Sequence, residues 1–88
     1  MAASRFFRFR QPIQVTERNT GGVWIERCDL LGIHAFGQSR AEAWEAFIDL
    51  FEADWDLVAQ EKDTRLTRGA QTLKQTYLEL VDTVERVL

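Results

Sequence analysis

The side chains best suited to covalent or proton-transfer chemistry lie close together in the chain: Cys28, Asp29 and His34. A thiol, an imidazole and a carboxylate are the groups of a nucleophile, its base and the residue that orients the base. His34, however, falls in an alternating strand pattern, and a lone cysteine behaves by default as a small buried hydrophobe. We therefore expect no catalytic residue, and a small hydrolase using His34 is the least favoured of three hypotheses.

Cofactor, metal and disulfide sites have equally little support in the sequence. One cysteine cannot form an intramolecular disulfide, and one Cys with one His cannot complete a structural zinc site, which takes four ligands. The glycines match neither the P-loop pattern nor the dinucleotide-binding fingerprint. We expect neither a metal nor a cofactor.

The formal charge of −3 hides a gradient along the chain. Residues 1–20 carry four arginines against one glutamate, whereas residues 41–63 carry eight carboxylates against one lysine. Five of these carboxylates recur at helical spacing and predict an acidic helix face: Glu42, Glu45, Asp49, Glu52 and Asp56. Such a face is either simply solvated or complementary to a basic partner.

Arginine and phenylalanine are interleaved from Arg5 to Arg10, a mixture that can neutralise phosphates and stack on bases. From Phe7 to Val15, however, every second position is apolar except Gln11, which is the period of a half-buried strand. That period turns the phenylalanines at 7 and 9 inward, so nucleic-acid binding by this run is disfavoured. Pro12 lacks an amide proton, which places the predicted strand at a sheet edge or a bulge.

Two more strands are predicted at residues 23–28 and 33–36. Gly21 and Gly22 end a polar stretch and suit a hairpin turn, while residues 29–32 are typical of a second turn. Short connections between successive strands favour an antiparallel meander.

A capping box formed by Ser39 and Glu42 predicts that a helix begins here. Apolar residues follow at spacings of three and four and form the predicted core face: Trp44, Phe47, Ile48, Phe51, Trp55 and Val58. A separate apolar line lies on the flank of that face: Ala43, Leu50 and Leu57.

A second amphipathic helix is predicted over residues 64–88, where apolar residues alternate spacings of four and three. Two interpretations stay open: the helix packs on its own domain, or it pairs with another subunit. In the second case the oligomer interface is expected at Leu73, Tyr77, Leu80, Val84 and Val87.

With 88 residues, the chain can build one small domain. A domain of this size hides only about 60% of its unfolded surface, so a second copy or a partner would add stability by covering apolar groups. No stretch approaches the roughly 20 apolar residues of a membrane span, and charges interrupt the start where a signal peptide is apolar. We expect a cytoplasmic protein without membrane contact, and a homo-oligomer.

The stretch from Gly21 to Gly32, followed by residues 37–43, resembles the HicB-like antitoxin family. Its Asp-Leu-x-Gly turn, its Gly-x-Ser step and its Glu-Ala helix start align with the family pattern without gaps. Ser39 stands in place of the family's Thr, and Cys28 and Leu31 replace the two prolines usual in the family. The resemblance covers roughly residues 6–60 and implies a three-stranded antiparallel sheet with a helix across one face, like a truncated ribonuclease H fold.

The resemblance also implies a function. Family members bind and occlude a small basic mRNA-cleaving toxin, the HicA partner, and usually add a C-terminal DNA-binding module. Residues 64–88 have room for one helix only, so DNA binding is disfavoured here. The acidic face would then be the partner-binding surface, by charge complementarity with the toxin.

The expectation is therefore an α+β protein with a β-β-β-α domain over residues 1–61 and a C-terminal amphipathic helix over 64–88. The favoured hypothesis is a non-catalytic binding protein resembling a HicB-like antitoxin. The alternative is an orphan, self-associating structural or adaptor domain without a toxin partner.

Overall fold

A computed structural model describes residues 4–87 as an α+β fold with two antiparallel sheets and two α-helices. In chain order the elements are β1 (Ser4–Phe9), β2 (Thr16–Thr20), β3 (Val23–Cys28), β4 (Ile33–Gly37), α1 (Arg40–Asp54), a π-helical turn (Trp55–Ala59), a 3-10 turn (Asp63–Arg65), α2 (Arg68–Leu80) and β5 (Val81–Val87). No helix in this part of the chain is long and apolar enough to cross a membrane.

The predicted three-stranded antiparallel sheet is confirmed, in the order β2, β3, β4, but its first strand is Thr16–Thr20 and not the predicted residues 7–15. The β2–β3 hairpin turns at Gly21 and Gly22, whose φ angles of 59° and 85° lie in the left-handed region that favours glycine. The Asn19 side chain accepts a hydrogen bond from the Gly22 amide at 3.3 Å. Residues of β3 and β4 alternate between a buried and an exposed face, as a sheet covered on one side requires.

The prediction of a single strand over residues 7–15 is wrong. The structure places β1 at Ser4–Phe9, leaves residues 10–15 outside any strand, and starts β2 at Thr16. Pro12 lies in the break, where its missing amide proton cannot interrupt a ladder. The faces were nevertheless predicted correctly, because Phe7, Phe9, Ile13 and Val15 all pack against the core.

Helix α1 begins at the predicted place, with the Ser39 hydroxyl accepting from the Glu42 amide at 3.1 Å. Its inward residues are Ala43, Phe47 and Phe51, so the flank position Ala43 proves to be core. Ile48, expected in the core stripe, is instead 51% exposed. The strand β4 approaches α1 so closely at Gly37 that a Cβ there would lie 2.8 Å from the Glu42 carbonyl carbon.

The prediction of one helix over residues 64–88 is wrong beyond Leu80. Helix α2 is capped by the Thr67 side chain and ends at Leu80, and the chain continues as strand β5. Strand β5 pairs antiparallel with β1, with Val84 opposite Phe7. Its sequence, Val-Asp-Thr-Val-Glu-Arg-Val, is rich in β-branched residues that favour strands, and the valines happened to match a heptad as well.

The five residues expected at an oligomer interface therefore lie on two different elements. Tyr77 and Leu80 of α2 are buried in the chain's own core, and Leu73 and Val84 pack against it. Val87 pairs with Ser4 at the end of β5. These residues do not form one helical stripe that a second subunit could pack against.

The core joins the C-terminal elements to the rest of the fold through aromatic contacts. The Phe51 ring lies 4.9 Å from that of Phe7 and 5.3 Å from that of Tyr77. The Tyr77 hydroxyl donates a 3.0 Å hydrogen bond to Asp54, which satisfies the polar end of a fully buried side chain. Strand β1, α1 and α2 thus share one core, with the outer face of α1 left open.

Candidate partner-binding surface

An apolar groove with a volume of about 580 Å³ opens between α1 and the N-terminal segment 5–15. Nine of its lining residues are aromatic or aliphatic: Phe6, Phe7, Phe9, Ile13, Val15, Trp44, Phe47, Ile48 and Phe51. Arg5 and Glu52 complete the lining. A concave apolar site with a few charged groups at its border is the usual form of a binding site.

The groove exists because the chain breaks at residues 10–15, so that no continuous strand covers this side of α1. Phe6 is 59% and Ile48 51% exposed, although both are large apolar side chains next to the core. Burying either one against a partner would contribute about 1–2 kcal/mol from the area removed from water. The groove is therefore a surface that gains stability when it is covered.

The five acidic residues predicted for α1 do not form one uniform row. Arg5 contacts the C-terminal end of the row. It donates hydrogen bonds to both Asp56 oxygens at 2.7 and 3.1 Å, and its Nε lies 3.7 Å from a Glu52 oxygen. The hydrogen bonds raise the pKa of Arg5 and lower the pKa of the Asp56 carboxyl. Two of the five predicted carboxylates are thus partly neutralised within the chain.

The other three carboxylates, Glu42, Glu45 and Asp49, are exposed and make no ion pair with any residue of the described range 4–87. Glu45 stands three residues before Ile48 on α1, and Glu52 four residues after it, so both flank Ile48 on one helix face. Glu45 and Glu52 accordingly border the mouth of the groove. An apolar anchor site and a negative rim meet on one surface.

A second cluster of carboxylates was not expected from the sequence. Glu26 lies opposite Glu17 in the β2–β3 register, under the first turns of α1, and it is fully buried. Glu17 accepts hydrogen bonds from Arg40 Nε at 2.8 Å and from Trp44 Nε1 at 3.3 Å. The only signal in the sequence was an acidic residue at an inward position of a strand.

The two carboxyl groups have pKa values that are shifted in opposite directions. Burial, and next the neighbouring Glu17, raise the pKa of Glu26 to about 7, because no hydrogen-bond donor reaches its oxygens. The neighbouring Glu26 carboxyl group, and next the hydrogen bond from Arg40, lower the pKa of Glu17. Glu26 has no exposed surface, whereas the Glu17 side chain is 29% exposed, and the opposite pKa shifts make the stability of this contact depend on pH.

The residues first considered for chemistry are separated by the sheet. Cys28 faces the core and is fully buried, whereas His34 points to the outer face, opposite Arg27. Asp29 forms an exposed ion pair with Arg27 at 3.0 Å. The thiol and the imidazole therefore lie on opposite faces, and the structure does not bring the three groups together.

No group of three or more His, Cys, Asp or Glu side chains within the described part of the chain is arranged to hold a metal ion. Comparisons of the chain with protein-family models, with curated proteins and with solved structures found no match.

Proposed function

We propose that this protein is a non-catalytic binding module that resembles a HicB-like antitoxin and occludes a small basic toxin that cleaves mRNA. Its binding surface is the apolar groove together with the free carboxylates of α1. A partner that acts on mRNA would place the protein in the cytoplasm.

The observation that carries this proposal is the juxtaposition of the groove with the acidic rim on one helix. Interfaces draw most of their affinity from a few buried apolar or aromatic anchors, and the groove offers a pocket for such an anchor beside Ile48. Complementary charge at the rim acts mainly on the rate of encounter and on specificity. A basic protein with an exposed apolar side chain fits both features.

The ion pairs of Arg5 refine which carboxylates take part. Glu45 and Asp49 are free to meet a cation of the partner, whereas Asp56 already holds Arg5 in a two-point contact. A partner cation at Glu52 would have to compete with Arg5, which lies 3.7 Å away. We therefore place the electrostatic contribution at the N-terminal half of α1.

The test is co-expression of this chain with the small basic protein of the neighbouring reading frame, followed by pull-down and binding kinetics. Glu45→Lys is expected to slow association about tenfold or more at low salt, because a free carboxylate beside Ile48 becomes a cation. Ile48→Ser is expected to speed dissociation about tenfold, because it removes an apolar side chain of the groove that would contact the partner's anchor residue.

Each variant has a matched control. Glu79→Lys reverses an exposed carboxylate on α2, away from the groove, and Leu50→Ser removes an exposed apolar side chain of α1 that does not line the groove. Both controls are expected to bind like the wild type. Failure of the two proteins to co-purify, or equal losses in variants and controls, would contradict the proposal.

Self-association is the second candidate function, favoured by the large exposed side chains Phe6 and Ile48 at the groove. Because Tyr77 and Leu80 are already buried in the chain's own core, an assembly would use the groove rather than α2. Light scattering separates the two candidates. An orphan adaptor domain predicts a dimer or larger species that Ile48→Ser dissociates, without any basic partner.

A further inference from the structure

The face of the β2–β4 sheet that points away from α1 is uncovered and forms ordered rows of side chains. One row runs Thr16, Arg27, His34 across the three strands, and the next runs Arg18, Ile25, Phe36. A shallow depression of about 400 Å³ lies over these two rows. The surface is separate from the groove beside α1 and carries no role in the function proposed above.

The strand positions that point to this face carry two cations, Arg18 and Arg27. Glu17 also lines the depression, but its carboxylate accepts a hydrogen bond from Arg40 at 2.8 Å on the α1 side of the sheet. Arg27 has an exposed partner in Asp29 at 3.0 Å. Arg18 makes no ion pair or side-chain hydrogen bond within residues 4–87. Because Asp29 offsets the charge of Arg27, the excess positive charge on this face comes from Arg18, in a chain whose net charge is −3.

An exposed aromatic ring lies on the same face as these arginines. Phe36 is 58% exposed, and it sits in the same row as Ile25 and Arg18. Directly opposed side chains in neighbouring strands are about 5 Å apart, so Phe36 and Arg18 stand on either side of Ile25 within reach of one bound molecule. A flat apolar ring beside guanidinium groups is a combination that stacks on bases and neutralises phosphates.

The opposite charge elsewhere on the molecule does not cancel this field. The free carboxylates Glu45 and Asp49 lie on the outer side of α1, behind a helix about 10 Å in diameter. Charges are largely screened beyond about 8 Å at physiological salt. The outer sheet face therefore attracts anions although the protein as a whole is acidic.

The arginines and the Phe36 ring of this face favour some binding partners over others. A second copy stacked face to face would bring each Arg18 and Arg27 toward the arginines of its mate, which disfavours a symmetric dimer here. A base-paired duplex would offer phosphates, but it would leave Phe36 without an unstacked base. Both features of the face are used only by a polyanion with accessible bases.

We propose that the outer face of the β2–β4 sheet binds single-stranded nucleic acid, with Arg18 and Arg27 at phosphates and Phe36 stacked on a base. His34, next to Arg27 in its row, lines the same depression and can donate a hydrogen bond to the strand. Two phosphate contacts and one stacked base make this a weak, salt-dependent site.

The test is fluorescence anisotropy with a labelled 12-nucleotide oligouridylate titrated with the full chain at several salt concentrations. Saturable binding is expected, with a slope of log K against log salt near −1.4, about −0.7 for each of two phosphates. Phe36→Leu keeps an apolar side chain but removes the ring, and it should weaken binding about fivefold or more. Arg18→Glu should weaken binding and reduce the slope by about 0.7.

The matched control for charge is Arg8→Glu. It replaces an exposed arginine of β1, on the other sheet, and changes the net charge by the same two units as Arg18→Glu. It should bind like the wild type, and circular dichroism should show that all variants are folded. The proposal is overturned by any of three results: no saturable binding, an equal loss in Arg8→Glu, or equally tight binding of a duplex or of polyglutamate. Weakening confined to Phe36→Leu and Arg18→Glu supports it.

Discussion

Glu26 lies directly opposite Glu17 across the β2–β3 pair, and it is fully buried, whereas Glu17 is bound by Arg40 and Trp44 of α1. The sheet and the N-terminal half of α1 therefore meet at two carboxyl groups that share a polar site. Two neighbouring carboxylates cannot both be ionised without strong repulsion. The stability of this contact depends on a proton at Glu26.

The sign of the pH dependence follows from the shifted pKa values. Glu26 has a pKa of about 7 in the folded chain and 4.5 ordinarily, so its contribution is fully present below pH 4.5 and is lost as the pH rises through 7. Glu17 behaves oppositely, because its folded pKa is lowered: its contribution is present above 4.5 and is lost on acidification through the folded pKa.

Glu26→Gln should therefore stabilise the protein at high pH. At pH 8 we expect a free energy of unfolding about 1–3 kcal/mol above that of the wild type, since an amide cannot ionise. At pH 5 the two proteins should differ by less than about 1 kcal/mol. Urea unfolding at both values measures this, with Glu45→Gln as an exposed control. A variant that is less stable than the wild type at pH 8 would contradict the protonated pair.

Gly37→Ala should destabilise the fold, because its Cβ would meet the backbone at Glu42 and Ala43 at 2.8 and 2.9 Å. Backbone cannot move aside as a flexible side chain can, so we expect a loss of about 1–3 kcal/mol. Gly69→Ala is the matched control, since nothing lies near its Cβ in the first turn of α2. That change should stabilise by up to about 1 kcal/mol. Equal effects at both sites in thermal unfolding would refute the close approach of β4 and α1.

The hydrogen bond from Tyr77 to Asp54 links α2 to the end of α1 at 3.0 Å. Burial, followed by the charge of Asp54, raises the pKa of Tyr77 well above its ordinary value, so the phenol remains a donor. Tyr77→Phe should lower the free energy of unfolding by about 1–3 kcal/mol. In a double-mutant cycle, Asp54→Asn should show a coupling energy of about 0.5–3 kcal/mol with Tyr77→Phe. Additive losses would mean that the two groups do not interact.

Strand β5 can be distinguished from a continued helix by a disulfide. Arg8 and Thr83 are register partners in the β1–β5 pair, and opposed Cα atoms in an antiparallel ladder lie about 4.5–5.5 Å apart, within the range of a disulfide. In a Cys28→Ser background, Arg8→Cys with Thr83→Cys should cross-link within one chain on oxidation. Arg8→Cys with Arg86→Cys should not, because Arg86 pairs with Arg5. Mass spectrometry of tryptic peptides identifies the bond, and its absence in the first variant would argue for a helix.

Patterns of short range were reliable guides to this fold. Ser39 capped the helix as expected, Gly21 and Gly22 made the hairpin, and the alternation through β3 and β4 matched the buried and exposed faces. Each of these depends on backbone geometry or side-chain periodicity within a few residues. The acidic residues of α1 were likewise placed on its outer side by helical spacing alone.

Pairings between distant residues were not readable in this way. The apolar pattern of segment 81–87 fits both a heptad and a strand. It forms β5 because it pairs with β1, whose residues lie 72 to 83 positions earlier in the chain. Tyr77 and Leu80, which were expected at an interface, lie in the core, and Arg5 binds Asp56, which lies 51 residues away in the chain. The burial of Glu26 beside Glu17 arises where sheet and helix meet. Local propensities determine an element when the segment clearly prefers one conformation. When helix and strand are nearly equal in free energy, the apolar contacts and hydrogen bonds that the rest of the fold supplies decide which one forms.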